Sequence, residues 1–553
     1  MTLRILAVTA EAFPLAKTGG LGDAVSGLCE ALDALGMQVT IMLPGYRGVM
    51  DQLVGLREVA HFEHLPGGTA RLFSGRCPKL GLTILVLKND TLFDRDSLYC
   101  DGDEIEYADN GIRFASLSMA AALVAEGRGG VARPQVVHVH DWHAALTPLY
   151  MKRSGVTDVK TLLTLHNLAF QGVFPLQDAQ CLGLGPRDCT PEGAECWGRL
   201  NFLKAGIQHA DRISVVSQNY AREILTPQFG CGLDGALAAR GPDLISIPNG
   251  ISDDCWNPQA DPYLGSDCFD QTDVSNKQRC KYALQQRFGL HCDPATTVMA
   301  MGSRLTEQKM ADVAVQAIPI ALESHPGLQV CVIGRGKKQI EAELEMLARR
   351  YPGRLGVAIG YDEETAHRLH AGADVLLHAS RFEPFGLTPL YAMRYGTIPI
   401  GSRVGGMVDT IRDPGSEAST QSMRDATGLL FDGEAPTDMI AAIDRAMALR
   451  GRPDVWAAMQ RNAMRVDFGW ARTAPSYIDT YRTLCRPLLV PKPIVCKELE
   501  TDAVLPGKAM ASIDVLAPLS TGQRIAGKGR RRVAAARRSR SDALGFPDSA
   551  SVA

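Results

Sequence analysis

The stretch from Ala373 to Tyr395 constrains this chain more than any other. An apolar run, Val375-Leu376-Leu377, leads through Ser380-Arg381-Phe382-Glu383-Pro384-Phe385-Gly386-Leu387 into Leu390, Met393 and Tyr395, which resume at helical spacing from Thr388. A buried strand, a turn with one carboxylate and a helix form the repeating unit of open α/β sheets. Gly386 and Leu387 then carry backbone N–H groups without helical acceptors. Ligands of such sheets bind beyond the carboxyl ends of the strands, where a helix start favours anionic oxygens. Glu383 is therefore placed to accept hydrogen bonds from sugar hydroxyls beside a phosphate held by amides. Taken alone, a solvated loop glutamate is the simpler reading.

The same unit recurs from the first residues onward. Ile5 to Val8 reads as a strand, Leu21 to Leu35 as a helix stopped by Gly36, and Val39 to Leu43 as the next strand. The loop between the first two, Lys17-Thr18-Gly19-Gly20-Leu21-Gly22-Asp23, has its lysine before the glycines, unlike a Walker loop, and its spacing misses the dinucleotide fingerprint. Its glycines still let backbone approach a ligand, with Lys17 as a mobile positive charge. A plain glycine turn is the alternative.

Further on, the Asp94-Arg95-Asp96 triplet could suggest a metal-bound diphosphate, but it precedes no buried strand and is expected to be a solvated loop. Val136 to His140 reads as a strand running into Asp141-Trp142-His143, and Thr161 to Leu165 as another ending in His166-Asn167. His138 and His140 share a strand face while His143 opens a helix, so converging them on one ion would distort the backbone; no metal and no cofactor are expected. Leu244 to Ile247 leads into Pro248-Asn249-Gly250, a turn that reads as the exit from a first domain.

A second series opens at Val298 to Met301, followed by Ser303-Arg304-Leu305-Thr306-Glu307-Gln308-Lys309. Arg304 offers a guanidinium fork and Lys309 a compact ammonium, a pair suited to a diphosphate whose charge grows as it leaves. Val330 to Ile333 and Ile359-Gly360-Tyr361 mark further strands. Met439 to Leu449 and Trp456 to Met464 mark helices, and Phe468 to Leu484 a closing helix.

Taken in order, these motifs resemble the glycogen and starch synthases, a family of retaining glycosyltransferases. The seven-residue run at Lys17 and the loops at Arg304 and Glu383 carry the resemblance most strongly. It covers about residues 1–485 and implies an α/β fold of two Rossmann-like domains facing a deep cleft, the GT-B type. The expected divisions are 1–248 for an N-terminal, acceptor-side domain, 249–467 for a nucleotide-sugar domain, 468–485 for a closing helix and 486–553 for a basic, disordered tail. The implied activity is transfer of glucose from ADP-glucose to the non-reducing end of an α-1,4-glucan, with anomeric configuration retained.

By the same resemblance, Glu383, His166, Asp141, Lys309 and Arg304 are the candidate catalytic residues. Lys17, Gly19, Gly20, Asp23, Tyr99, Asn249, Gln308, Tyr361, Phe385, Gly386, Leu387 and Thr388 are the candidate substrate contacts. Tyr361 would stack on adenine, and the main-chain carbonyl of His166 would lie near the anomeric carbon. The sequence leaves Asp141 open as a nucleophile for a double displacement. Tyr391 stands at a second motif glutamate of the broader group, a departure the synthases share, while three departures are from the synthase pattern itself: Ser252 where an aspartate is usual, Met310 where glycine is usual, and Phe385 at a family cysteine. Phe385 keeps a UDP-glucose-dependent synthase open as an alternative, and a decayed glucan-binding scaffold is the reading from another class.

Composition bounds the rest. The chain has 553 residues, 46% hydrophobic and 22% charged, enough for two cores and a tail. A net charge of −3 gives no general drive towards nucleic acid or membrane. Fourteen cysteines without a CxxC pair fit scattered thiols in a cytoplasmic enzyme better than a disulfide framework. Met1 to Val8 is too short, and too soon broken by Glu11 and Pro14, for a signal peptide. Eight Lys/Arg residues and no acid between Thr521 and Ser541 read as a solvated block. The oligomeric state is not legible.

Overall fold

The structure, a computed structural model, describes residues 2–102, 105–415 and 421–486. The expected basic tail lies outside the described residues from 487 onward.

The first half builds a nine-stranded sheet. Its strands are β1 (Arg4–Val8), β2 (Gln38–Pro44), β3 (Val54–Leu65), β4 (Gly68–Cys77), β5 (Leu82–Lys88), β6 (Val136–His140) and β7 (Lys160–Leu165). A small separate sheet follows, of β8 (Val173–Pro175), β9 (Glu195–Cys196) and β10 (Arg199–Asn201). The large sheet is then completed by β11 (Arg212–Val215) and β12 (Leu244–Ser246). Its order is β12-β11-β7-β6-β1-β2-β5-β4-β3, parallel from β12 to β5. The continuous apolar runs are what parallel strands covered on both faces require, and β6 is buried at every position. The antiparallel β3–β4 hairpin extends the edge. Sequence reading did not assign it; its one sharp signal is the Pro66-Gly67-Gly68 turn, with both glycines at positive φ.

The second half builds a six-stranded parallel sheet: β13 (Thr297–Gly302), β14 (Leu328–Gly334), β15 (Leu355–Ile359), β16 (Val375–His378), β17 (Ile398–Ser402) and β18 (Leu429–Phe431), in the order β15-β14-β13-β16-β17-β18. Both sheets reverse direction in the middle. The first does so between β1 and β6, the second between β13 and β16. Each reversal opens a crevice at the strands' carboxyl ends, where ligands of doubly wound sheets bind.

The chain then returns. Helix Trp470–Leu484 lies against helix Gly20–Ala34, and Trp470 Nε1 sits 2.2 Å from where a Cβ on Gly27 would stand. A Cβ on Gly250 would stand 2.8 Å from the Trp470 ring, and Ile251 N donates to Phe468 O at 2.9 Å. Tyr481 Oη meets His138 Nδ1 at 2.8 Å. One tryptophan thus packs both on the first lobe and on the segment leaving it.

Candidate active site

The two reversal crevices receive the four loops that the sequence singles out. The loop after β1 carries Lys17, with Asp23 in the first turn of the helix it enters, and the turn after β6 carries Asp141. The loop after β13 carries Arg304 and Lys309, and the turn after β16 carries Glu383.

Glu383 is buried, and its Oε2 gathers three partners: Lys309 Nζ, Ser380 Oγ at 3.0 Å and His378 Nε2 at 3.2 Å. Burial by itself would raise its carboxyl, but Lys309 and the His378 contact outweigh that and hold it well below the usual carboxylate range. Next to it, Gly386 has φ 85° and opens helix Leu387–Arg394. Among the described residues the N–H groups of Gly386, Leu387 and Thr388 donate to no protein acceptor. A fixed carboxylate thus stands beside a row of free amides.

Lys309 belongs to a loop held by its neighbours' backbone. Leu305 N donates to Arg335 O at 2.8 Å, and a Cβ on Gly334 would stand 2.1 Å from Ser303 O. Met310 follows with φ 49°, the left-handed conformation that favours glycine. Arg304 reaches across the cleft, its guanidinium 5.8 Å from the Phe170 ring centroid, and donates to Gln308 Oε1 at 3.1 Å. Gln308 Nε2 in turn donates to Phe382 O at 3.4 Å, so this side chain ties the two cationic and acidic loops together.

On the facing lobe, Lys17 Nζ lies 3.0 Å from Asp23 Oδ2 and 3.5 Å from Glu363 Oε2. Burial opposes its charge, yet the two carboxylates prevail and raise the ammonium above its ordinary value. Burial also pushes the Asp23 carboxyl up to about 6, against the pull of Lys17. Glu363 would be raised by burial, but His367 and Lys17 bring it down to about 2. Tyr391, at the position of the broader group's second glutamate, stacks on Trp256 at 3.8 Å and points its hydroxyl to Asp23 at 3.5 Å. Tyr361 is 65% exposed, with Lys17 Nζ 5.7 Å from its ring centroid and its hydroxyl donating to Glu363 Oε2.

Several candidates are occupied by the protein itself. At Gly19, a candidate substrate contact, the N–H is held by Glu11 Oε2 at 3.1 Å, together with Thr18 N at 2.8 Å. Gly19 has open space at its Cβ position, whereas a Cβ on Gly20 would stand 3.1 Å from Leu387 Cδ1. Tyr99 donates to Glu11 Oε1 at 2.8 Å and stacks on His143 at 4.9 Å. Asn249 is buried with its Oδ1 unpartnered among the described residues. Phe385 is buried, its backbone pressed by Gly406.

Asp141, at φ 54°, accepts from His166 N at 2.6 Å and Asn167 N at 3.3 Å through a single oxygen, pinning the turn after β7 to the turn after β6. Burial pushes its carboxyl up to about 7 despite those amides. His166 Nε2 lies 3.0 Å from His140 Nδ1, and His138 Nε2 2.6 Å from Thr164 Oγ1. Burial lowers His138, His143 and His166 to about 3. These rings are neutral, and no group of three metal-ligating side chains gathers among the described residues. Asp94 and Asp96 pair with Arg47.

Sequence reading missed Glu11, Glu363, His378 and Ser380. Their signal is position: Glu11 and Ser380 sit just past β1 and β16, His378 ends β16, and Glu363 lies just past Tyr361.

Two family models match the chain, the starch synthase catalytic domain over residues 4–239 and glycosyl transferases group 1 over residues 285–463. The chain is 56% identical over 512 residues to a glycogen synthase of Bordetella petrii, covering 92% of this chain and 97% of that one. It is 50% identical over 494 residues to a glycogen synthase of Ralstonia nicotianae, covering 89% and 90%. Among solved structures it is similar to the catalytic domain of starch synthase IV from Arabidopsis thaliana bound to ADP and acarbose. That similarity has TM-score 0.79 and 29% identity, over 88% of this chain and 100% of that one. A sucrose-phosphate synthase from Thermosynechococcus elongatus shares the fold, with TM-score 0.53 at 19% identity over 87% and 99%.

Proposed function

The chain belongs to the glycogen synthase family of glycosyltransferases, and from that premise we propose that it transfers glucose from ADP-glucose to the non-reducing end of an α-1,4-glucan with retention. The observation that carries the reading is Glu383 held as a carboxylate by Lys309 beside the free amides of Gly386, Leu387 and Thr388. In it, the donor diphosphate lies over those amides and draws Arg304, Lys309 and Lys17 to itself. The oxygen of Glu383 that has no partner among the described residues faces the sugar hydroxyls. Three cations converge on the leaving group, which develops negative charge as the glycosidic bond breaks, so no metal is required in this scheme.

Retention then follows from attack by the acceptor hydroxyl on the face from which the diphosphate leaves. In this scheme Asp141 is not a nucleophile: it accepts two amides through one oxygen and so holds the turn that bears His166. In this reading Asp141 shapes the His166 carbonyl turn, and exposed Tyr361 offers its ring to the adenine. The ADP in the Arabidopsis structure supports an adenine donor. The divisions 1–248, 249–467 and 468–485 are kept as acceptor lobe, donor lobe and closing helix.

The test is incorporation of labelled glucose into a glycogen primer from ADP-glucose or UDP-glucose, with a chelator present. Transfer from ADP-glucose that the chelator leaves unchanged is expected. Preference for UDP-glucose would refute the donor assignment, and loss of activity with chelator would refute the cation-only diphosphate site.

A further inference from the structure

Lys309 has two claimants. Its ammonium rests on Glu383, yet the proposed function needs the same ammonium on the donor diphosphate. Once it turns away, Glu383 is left as a buried carboxylate that has lost its main counter-charge. A carboxylate in that position either takes up a proton or swings towards water, and either change spoils its contact with the sugar.

The strand beneath supplies the remedy. His378, the last residue of β16, is itself buried and brings Nε2 to 3.2 Å from Glu383 Oε2. Ser380 Oγ donates to that same oxygen at 3.0 Å. The other ring nitrogen, His378 Nδ1, is buried and has no partner among the described residues. That vacancy fixes the tautomer: a proton on Nδ1 would be a buried donor without an acceptor, so the ring is neutral with its proton on Nε2, aimed at Glu383. Burial and the nearby Lys309 charge favour the same neutral state. Glu383 Oε1 receives no hydrogen bond among the described residues.

We propose that His378 is a positioning residue, whose Nε2–H, with the Ser380 hydroxyl, holds Oε2 of Glu383 while Lys309 moves to the diphosphate, leaving Oε1 directed at the donor sugar. The inference rests on the reading that Glu383 meets that sugar. It assigns His378 no contact with the substrate. Its effect therefore belongs in turnover rather than in donor binding.

The experiment compares His378→Leu, which removes the donor N–H and keeps apolar bulk, with His378→Gln, whose side-chain amide places an N–H near the position of Nε2. Turnover and KM for ADP-glucose are measured on glycogen primer, with ADP affinity by calorimetry and thermal unfolding alongside. His378→Leu is expected to lose about 10-fold or more in kcat with KM and ADP affinity within about threefold of wild type, and His378→Gln to run at least about fivefold faster than His378→Leu. Wild-type kcat in His378→Leu, a loss confined to KM, or a Gln variant no faster than the Leu variant overturns the proposal. If the Leu variant does not fold, the Gln variant decides: turnover within about fivefold of wild type upholds the proposal, and a larger loss overturns it. Glu383→Gln separates the two readings. Near-normal turnover there would sink the role of Glu383 itself, whereas an inactive Glu383→Gln beside a fully active His378→Leu would sink only the role of His378.

Discussion

Lys309 and Glu383 are 74 residues apart in the chain, yet the ammonium of one rests on a carboxylate oxygen of the other. The pairing exists because β13 and β16 are hydrogen-bonded neighbours at the point where the second sheet reverses. It joins the cation assigned to the leaving group with the acid assigned to the sugar.

Removing that cation tests both assignments. Lys309→Ala is expected to lower kcat by about 100-fold or more, the scale of one electrostatic contact to a developing charge. Steady-state turnover checks it, with circular dichroism confirming the fold. Near-normal turnover would end the diphosphate role.

Glu363 gives a signed pH dependence. Its carboxyl is at about 2 in the folded protein, below its ordinary 4.5, so the unfolded state binds the proton more readily between those values. The resulting stability is present above about pH 4.5 and lost as pH falls towards 2. Wild type should therefore melt higher than Glu363→Gln at pH 6, and the gap should narrow steadily as pH falls from 4.5 towards 2. A gap independent of pH would contradict the assignment.

Met310 sets strain against packing. At φ 49° a non-glycine residue costs about 1–2 kcal/mol. The side chain, however, is fully buried, with Ser402 Oγ 3.6 Å from its sulfur, and deleting such a side chain costs about 2–5 kcal/mol. Packing wins, so Met310→Gly should destabilise by about 1–3 kcal/mol in chemical denaturation. A stabilised variant would mean that the backbone strain dominates.

Lys277 anchors the second lobe. Its buried Nζ donates towards His370 O, Ala371 O, Tyr395 O and Thr397 Oγ1, all within 3.2 Å. Burial lowers its ammonium to about 7. Lys277→Met keeps the length but strands those oxygens, and a loss of about 2–4 kcal/mol is expected by denaturant titration. An unchanged midpoint would show that water replaces the ammonium at no cost.

Most strands were legible because buried parallel strands write themselves as short apolar runs, as at Val136–His140 and Val375–His378. The β3–β4 hairpin was not, since an edge ribbon buries too irregularly to show a clean period. Lys17, Arg304, Lys309 and Glu383 stood out because each sits in a turn directly after such a run. Glu11 did not stand out, although it fastens Thr18, Gly19 and Tyr99 around itself, because its partners come from two separate loops. Gly19 shows the converse: its loop reads as glycines that let backbone approach a ligand, and its amide is held by a carboxylate eight residues earlier.

Sequence alone determined where the buried parallel strands of the two series lie, the places where several of them give way to a chemically equipped turn, and the family. These are local properties, set by apolar periodicity and by the residue types that a turn tolerates. Tertiary structure alone decided which charge answers which: Lys17 to Glu363 across the cleft, Lys309 to Glu383 across two strands, and His378 beneath them. Coulomb and hydrogen-bond partners are chosen by distances of about 3 Å, and those distances are fixed by sheet order and helix packing rather than by separation along the chain.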